Sequence, residues 1–524
     1  MTNGRMKRFW HRGIVHFVLG FCLGTYLLAM GCSLPSLENR SVSVALIDTD
    51  TTRLGKTISL LVTEHPGKSG MYPLLDSRDA FAARILLTQA AERSLDVQYY
   101  IWRKDMSGTL LFEALRKAAD RGVRIRLLLD DHNTSGMDKL LATLDAHPNI
   151  EVRLFNPFVI RNPRWIGFVT DFSRLNRRMH NKSFTVDNQV TIIGGRNIGD
   201  EYFGATDDVL FVDLDVIAIG PVVNEVSNDF DRYWASDSSY PIDRLLPTVN
   251  PVLLAELASD ASLVERDAAA MAYVKALRDS PFVRELMERR LALEWVSIRT
   301  VSDNPAKGLG RAPPEALLPQ KLHQIIGKPE SSVDLVSPYF VPTAAGVDAF
   351  AALAGRGVKM RVLTNSLEAT DVAIVHSGYA KRRKPLLDAG IVLYELQRIS
   401  PAIKIKKSFG LAGSSGSSLH AKTFSVDCAS IFIGSFNFDP RSANLNTELG
   451  FVIDSPALAQ RIEATFDAII PSVAYEVRLS ETGSLLWIEH RQDEPIQHET
   501  EPGTSFLKRT WIWFMSILPI EWLL

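Results

Sequence analysis

One pattern occurs twice in the 524 residues and limits what the chain can fold into more than any other feature. The first copy runs Met179-His180-Asn181-Lys182-Ser183-Phe184-Thr185-Val186-Asp187 and continues through Ile192-Ile193-Gly194-Gly195-Arg196-Asn197. The second runs Leu419-His420-Ala421-Lys422-Thr423-Phe424-Ser425-Val426-Asp427, then Phe432-Ile433-Gly434-Ser435-Phe436-Asn437. In both, Lys follows His by two residues, Asp by seven, the first Gly by fourteen and Asn by seventeen. Two unrelated core histidines would not share four further residues at fixed spacing, so this is a repeat that carries chemistry.

The apolar alternation around each His (Phe184, Val186; Phe424, Val426) predicts a strand. On a strand, positions i and i+2 share a face, so His and Lys should project together. Polar turns and a second apolar run then predict a hairpin in each copy, with Gly permitting close backbone approach and Asn returned toward His and Lys. Asp187 and Asp427 fall near the turns, where a structural and a catalytic role both stay open.

His serves as nucleophile or general acid because its ordinary pKa lies near neutrality. Lys and Asn supply charge and donors suited to phosphoryl oxygens. No metal or other cofactor is needed in such a scheme. HExxH and CxxC spacings are absent, and the chain has three cysteines.

Both stretches resemble the H-x-K-x4-D-x6-G-x-x-N signature of the phospholipase D superfamily. Asp439, Arg441 and Ser442 with Asn446-Thr447-Glu448 resemble the bacterial phospholipase-D-type cardiolipin synthases. So do Asn176-Arg177-Arg178 before His180 and Ile198-Gly199-Asp200 after Asn197. From about Met71 onward the chain is most similar to their third, C-type, branch. The resemblance implies two duplicated αβαβα domains, with mixed and mainly parallel sheets sharing one active site. It implies His180 as nucleophile and His420 as acid and base, although the residues alone do not separate these roles. Lys182 and Lys422, with Asn197 and Asn437, would hold the phosphoryl oxygens. Glu448, and Asp213 at the equivalent place in the first half, would orient the histidines. Asp200, Asp207, Asp208 and Asp215 compete with Asp213.

The implied reaction passes a phosphatidyl group from phosphatidylethanolamine or phosphatidylglycerol to phosphatidylglycerol through a covalent phosphohistidine. The alternative is hydrolysis by the same first step, as a phospholipase D or, less readily, a nuclease. A net charge of −2 argues against nucleic acid as partner.

In chain order, residues 1–31 read as a signal peptide or membrane anchor. Arg5, Lys7, Arg8 and Arg12 precede an apolar run, and Leu28-Ala29-Met30-Gly31-Cys32 resembles a lipobox that would lipidate Cys32. An uncleaved anchor remains the other reading, and either places the body in the bacterial cell envelope facing the periplasm, at the membrane. Residues 32–70 are expected to be a polar tether. Residues 71–246 alternate helix and strand as a first phospholipase D-like domain, and 313–475 repeat that order as a second. Asp120-Arg121-Gly122-Val123-Arg124-Ile125-Arg126 echoes Gly355-Arg356-Gly357-Val358-Lys359-Met360-Arg361. Between them, 247–312 should be a helical connector. Basic clusters precede each motif (Arg174, Arg177, Arg178; Lys404, Lys406, Lys407), and the Gly/Ser-rich stretch 408–418 would suit a mobile lid. Residues 476–524 end in Trp511, Trp513 and Trp522 after Lys508 and Arg509. That composition suits a membrane-interface tail, against the alternative of packing on the core.

Overall fold

The computed structural model describes residues 33–206, 209–288, 290–398, 416–491 and 494–524. The expected targeting segment, Cys32, Asp207, Asp208, the Lys404 cluster and residues 408–415 lie outside them.

Each half is built on three parallel strands: Ser94–Tyr99, Arg124–Asp130 and Ile150–Phe155, then Ser332–Val336, Lys359–Asn365 and Val392–Leu396. The repeated Arg-Gly-Val text explains the first crossover of each half. Gly122 and Gly357 turn at φ 94° and 90°, a left-handed conformation that Gly adopts without steric cost. The following Arg126 and Arg361 then lie buried on the sheet and grip Asp96 and Asp334 bidentately, at 2.7 and 2.8 Å and at 2.6 and 2.7 Å. These pairs leave no buried charge uncompensated. Helices Ser77–Ala90 and Met106–Asp120, capped by Asp76 and Asp105, cover the first sheet with Phe81, Leu87, Leu111 and Leu115.

Within the large sheet parallel pairing is confined to these strands, so that sheet is mixed, with more antiparallel than parallel pairs. The hairpins Ser183–Val186/Val190–Gly194 and Thr423–Val426/Ser430–Gly434 join them antiparallel. In each turn two residues take positive φ, Asp187 and Asn188 (both 49°) and Asp427 and Cys428 (53° and 51°).

The connector departs from expectation. It is helical from Leu253 to Met287, but Glu294–Ser302 is a strand. That strand pairs antiparallel with Ser69–Leu74 of the first half and with Leu449–Asp454 of the second, fusing both halves into one 18-stranded sheet among the described residues. Val296, Ile298 and Thr300 at alternate positions were the available signal. Between the halves lies a shared core of Met71, Ile193, Val216, Ile433, Phe451 and Ile453.

The tether is also corrected. Residues 40–50 run along the first half because buried arginines need acceptors: Arg126 donates to the Ser43 carbonyl at 2.9 Å and Arg153 to that of Ser41 at 2.6 Å. The helix Arg53–Thr63 follows. At the other end, 476–524 is no simple tail. Strands Leu485–Glu489 and Ile496–His498 extend the second sheet before the helix Phe506–Ile517. Among the described residues no helix is long and apolar enough to cross a membrane.

Candidate active site

Each histidine is held by the opposite half of the chain. His180 and Lys182 lie just before the strand Ser183–Val186 rather than within it, because the backbone there is engaged elsewhere. The His180 N–H donates to the Thr447 carbonyl at 2.9 Å, and the Thr447 N–H donates to the Arg178 carbonyl. In mirror fashion Gly416–Leu419, the described end of the Gly/Ser-rich stretch, pairs parallel with Val209–Val212. The N–H groups of His420 and Ala421 both donate to the Val212 carbonyl.

The residues after those carbonyls are carboxylates. His180 Nδ1 lies 2.8 Å from Glu448 Oε2 and 3.1 Å from the Ser435 carbonyl, so two acceptors hold the hydrogen on Nδ1 and leave the Nε2 lone pair free. His420 Nδ1 lies 2.5 Å from Asp213 Oδ2, with Lys422 Nζ 3.0 Å away. Lys182 and Lys422 each donate to the carbonyl of the His two residues back. Glycine matters at one point here: a Cβ on Gly195 would lie 2.2 Å from Asp213 Oδ1. Its counterpart Ser435 instead donates its hydroxyl to Glu448.

Burial and mutual charge set the protonation states. Burial lowers both histidines well below their ordinary value. The fields of Lys182 and Lys422 lower them further. Lys182 is pulled down to about 7 by burial and by Lys422; Lys422 is lowered by burial. Burial pushes Glu448 up to about 7 and raises Asp213. The site therefore offers two neutral imidazoles in a field that favours an incoming anion.

Among the carboxylates that compete with Asp213, Asp200 accepts from the backbone of Ser107, and Asp215 pairs with Arg84 at 2.8 Å. Asp187 and Asp427 sit at the far ends of their hairpins. Asp187 accepts the N–H groups of Glu92, Arg93 and Ser94, and Asp427 those of Glu330, Ser331 and Ser332. They pin the entry of a parallel strand in each half and, among the described residues, touch neither His nor Lys, so of the two roles left open by the spacing their contacts are those of the structural one. Asn197 is committed to its neighbours, accepting from the Ile101 N–H and donating to Tyr202 Oη at 3.0 Å. Asn437 Oδ1 is buried with no partner among the described residues. Of the basic cluster, Arg174 pairs with Asp171 and Arg178 with Asp130, while Arg177 donates to the carbonyls of Asn444 and Lys307.

Several neighbours were not anticipated. The Tyr100 ring meets His180 edge-on at 4.9 Å, and Tyr202 meets His420 at 5.2 Å, with Phe211 at 5.0 Å. Tyr339 donates to Asp371. Tyr100 and Tyr339 both follow the C-terminal end of a central parallel strand, where sites in such sheets gather. That position was the signal for them. Tyr202 and Phe211 have none.

The family described as "Cardiolipin synthase, PLD-like domain" matches residues 85–234 and 322–470, one segment in each half. The chain belongs to the phospholipase-D-like cardiolipin synthase family. It is 52% identical over 472 residues to "Cardiolipin synthase C" of Escherichia coli, covering 90% of this chain and 100% of that one. A cardiolipin synthase of Clostridium perfringens is 25% identical over 397 residues, 75% of this chain and 68% of its own. In fold the chain is similar to a phosphatidylserine synthase from Haemophilus influenzae. The TM-score is 0.54 at 14% identity, over 90% of this chain and 99% of that one. In this member of the cardiolipin synthase family, both repeats supply a histidine and the carboxylate that braces the other's.

Proposed function

We propose that this protein is a cardiolipin synthase that moves a phosphatidyl group from phosphatidylethanolamine or phosphatidylglycerol onto phosphatidylglycerol. The observation that carries the mechanism is the reciprocal bracing of His180 by Glu448 and His420 by Asp213. His180, its Nδ1 held as a donor by two oxygens, attacks phosphorus through Nε2. The phosphorus–oxygen bond to the headgroup alcohol breaks, and His420 protonates that alcohol. In the second step His420 takes the proton from a phosphatidylglycerol hydroxyl, whose oxygen attacks phosphorus and breaks the phosphorus–nitrogen bond. The bound phosphodiester offsets the charge of Lys182 and Lys422, so His420 gains its proton as substrate arrives. The lysines and Asn437 hold the phosphoryl oxygens, while Asn197, engaged by Ile101 and Tyr202, has only its second Nδ2 hydrogen to offer them.

The envelope reading stands with this: a lipid-anchored or membrane-anchored enzyme at the periplasmic face, meeting its phospholipids there. The deciding experiment is lipid analysis of cells lacking their own cardiolipin synthases, with and without this protein. Cardiolipin that appears with the wild type and disappears with His180→Ala or His420→Ala is the expected result. Phosphatidic acid without cardiolipin would establish hydrolysis instead.

A further inference from the structure

Two exposed apolar ridges flank the histidine site, one from each half. The first lies on the short helices Trp165–Thr170 and Phe172–Leu175, inserted between the strand Ile150–Phe155 and His180. Trp165, Val169 and Phe172 are 66%, 76% and 45% exposed, a grouping that marks an interaction surface rather than a finished fold in water. The inner side of the same helices is anchored toward the site. Phe168 meets His132 and Phe158 edge-on. Beside His132, Asn133 donates to the carbonyl of Tyr100, whose ring meets His180.

The second ridge is the helix Phe506–Ile517 with the turn Glu521–Leu523. Ile512 and Met515 face inward, while Phe506, Leu507, Trp511, Trp513, Ile517 and Trp522 stay exposed. Residues 506–520 contain Lys508 and Arg509 and no acidic residue.

Arg441 joins the ridges. It donates to the carbonyls of Leu523 and Leu524 at one end of the pair, and to Asn176, directly after the first ridge, at the other. Among the described residues the guanidiniums of Arg441 and Arg177 beside it are in no ion pair and donate to backbone carbonyl or side-chain amide oxygens. The seam between the ridges thus presents two guanidiniums outside any ion pair, with Asp439 the acidic group that acts on Arg441.

We propose that these ridges and their arginine seam dock the protein onto an anionic phospholipid bilayer. Tryptophan and phenylalanine suit the interfacial zone, and unmatched cations suit anionic headgroups. Docking from both halves at once holds the mouth of the site at headgroup level, so that a lipid enters without leaving the membrane completely. This rests on the reading that the substrates are bilayer phospholipids and adds the surface by which they are reached.

The test uses the full chain in proteoliposomes. The triple variant Trp165→Ser, Val169→Ser, Phe172→Ser should lose tenfold or more on long-chain phosphatidylglycerol in the bilayer, yet stay within twofold on a monomeric short-chain phosphatidylglycerol. Equal losses on both substrates, or no loss on the bilayer, would overturn the proposal. A second measurement does not depend on turnover. Vesicles of phosphatidylglycerol with brominated acyl chains should quench Trp165, read as the difference between wild type and Trp165→Phe. No quenching of Trp165 overturns docking. Quenching without any cardiolipin formed keeps docking and overturns the proposed function instead.

Discussion

Replacing Glu448 by Gln separates what the site does from what it costs. Glu448 is wholly buried, accepts from His180 Nδ1 at 2.8 Å, and has its other oxygen, Oε1, without a partner among the described residues. Burial raises it from 4.5 to about 7. With its folded pKa above its unfolded one, the group is neutral in both states below 4.5 and costs nothing there. As pH rises past that value the unfolded chain ionises first, and stability is lost until the folded pKa is passed. At 1.36 kcal/mol per pKa unit the loss near pH 8 is about 3 kcal/mol, which a neutral isostere removes. Glu448→Gln should therefore raise the thermal midpoint at pH 8 by several degrees and change it little at pH 4.5. Activity should move the other way. An amide that turns its NH2 to Nδ1 forces the hydrogen onto Nε2 and removes the attacking lone pair. The corresponding carboxylate-to-amide change in serine proteases costs about 10⁴ in kcat. We expect a loss of about 10² to 10⁴ in kcat with KM little changed, measured with radiolabelled phosphatidylglycerol in proteoliposomes beside differential scanning calorimetry. Activity within tenfold of wild type, or a midpoint that falls at pH 8, would refute the reasoning.

Lys182, pulled down to about 7, is charged below that value and neutral above it, so kcat/KM should fall as pH rises through neutrality. The limb in kcat should sit higher, because bound phosphate favours the charged lysine; a flat kcat/KM to pH 9 would contradict this. Asp187→Ala strips the acceptor from three backbone N–H groups and should cost about 2–4 kcal/mol of stability while the folded fraction keeps its kcat. Asp427→Ala, whose partners are more exposed, should cost less, about 1 kcal/mol by denaturant titration.

The repeat itself was legible in the sequence, because hairpin, turn and strand crossover are local devices written in neighbouring residues. Gly122 and Gly357 with Arg126 and Arg361 could be paired by eye, and His180 with His420 likewise. For the same reason the role of Asp187 and Asp427 stayed open in the sequence. Spacing shows that a residue recurs, not whether its partner is an imidazole or a row of backbone N–H groups. The strand Glu294–Ser302 passed unseen among helices because its two partners lie in different halves, far off in sequence. The polar leader at 40–50 reads as loose, since the buried arginines that hold it are also distant. What the sequence determined by itself was the set of reacting groups and the two-fold plan that brings them together. The tertiary structure alone decided the crossing: Thr447 and Glu448 reach back to His180, and Val212 and Asp213 reach forward to His420. A hydrogen bond between residues more than 200 positions apart leaves no periodicity in the chain, and it exists only once both halves have closed on their shared core.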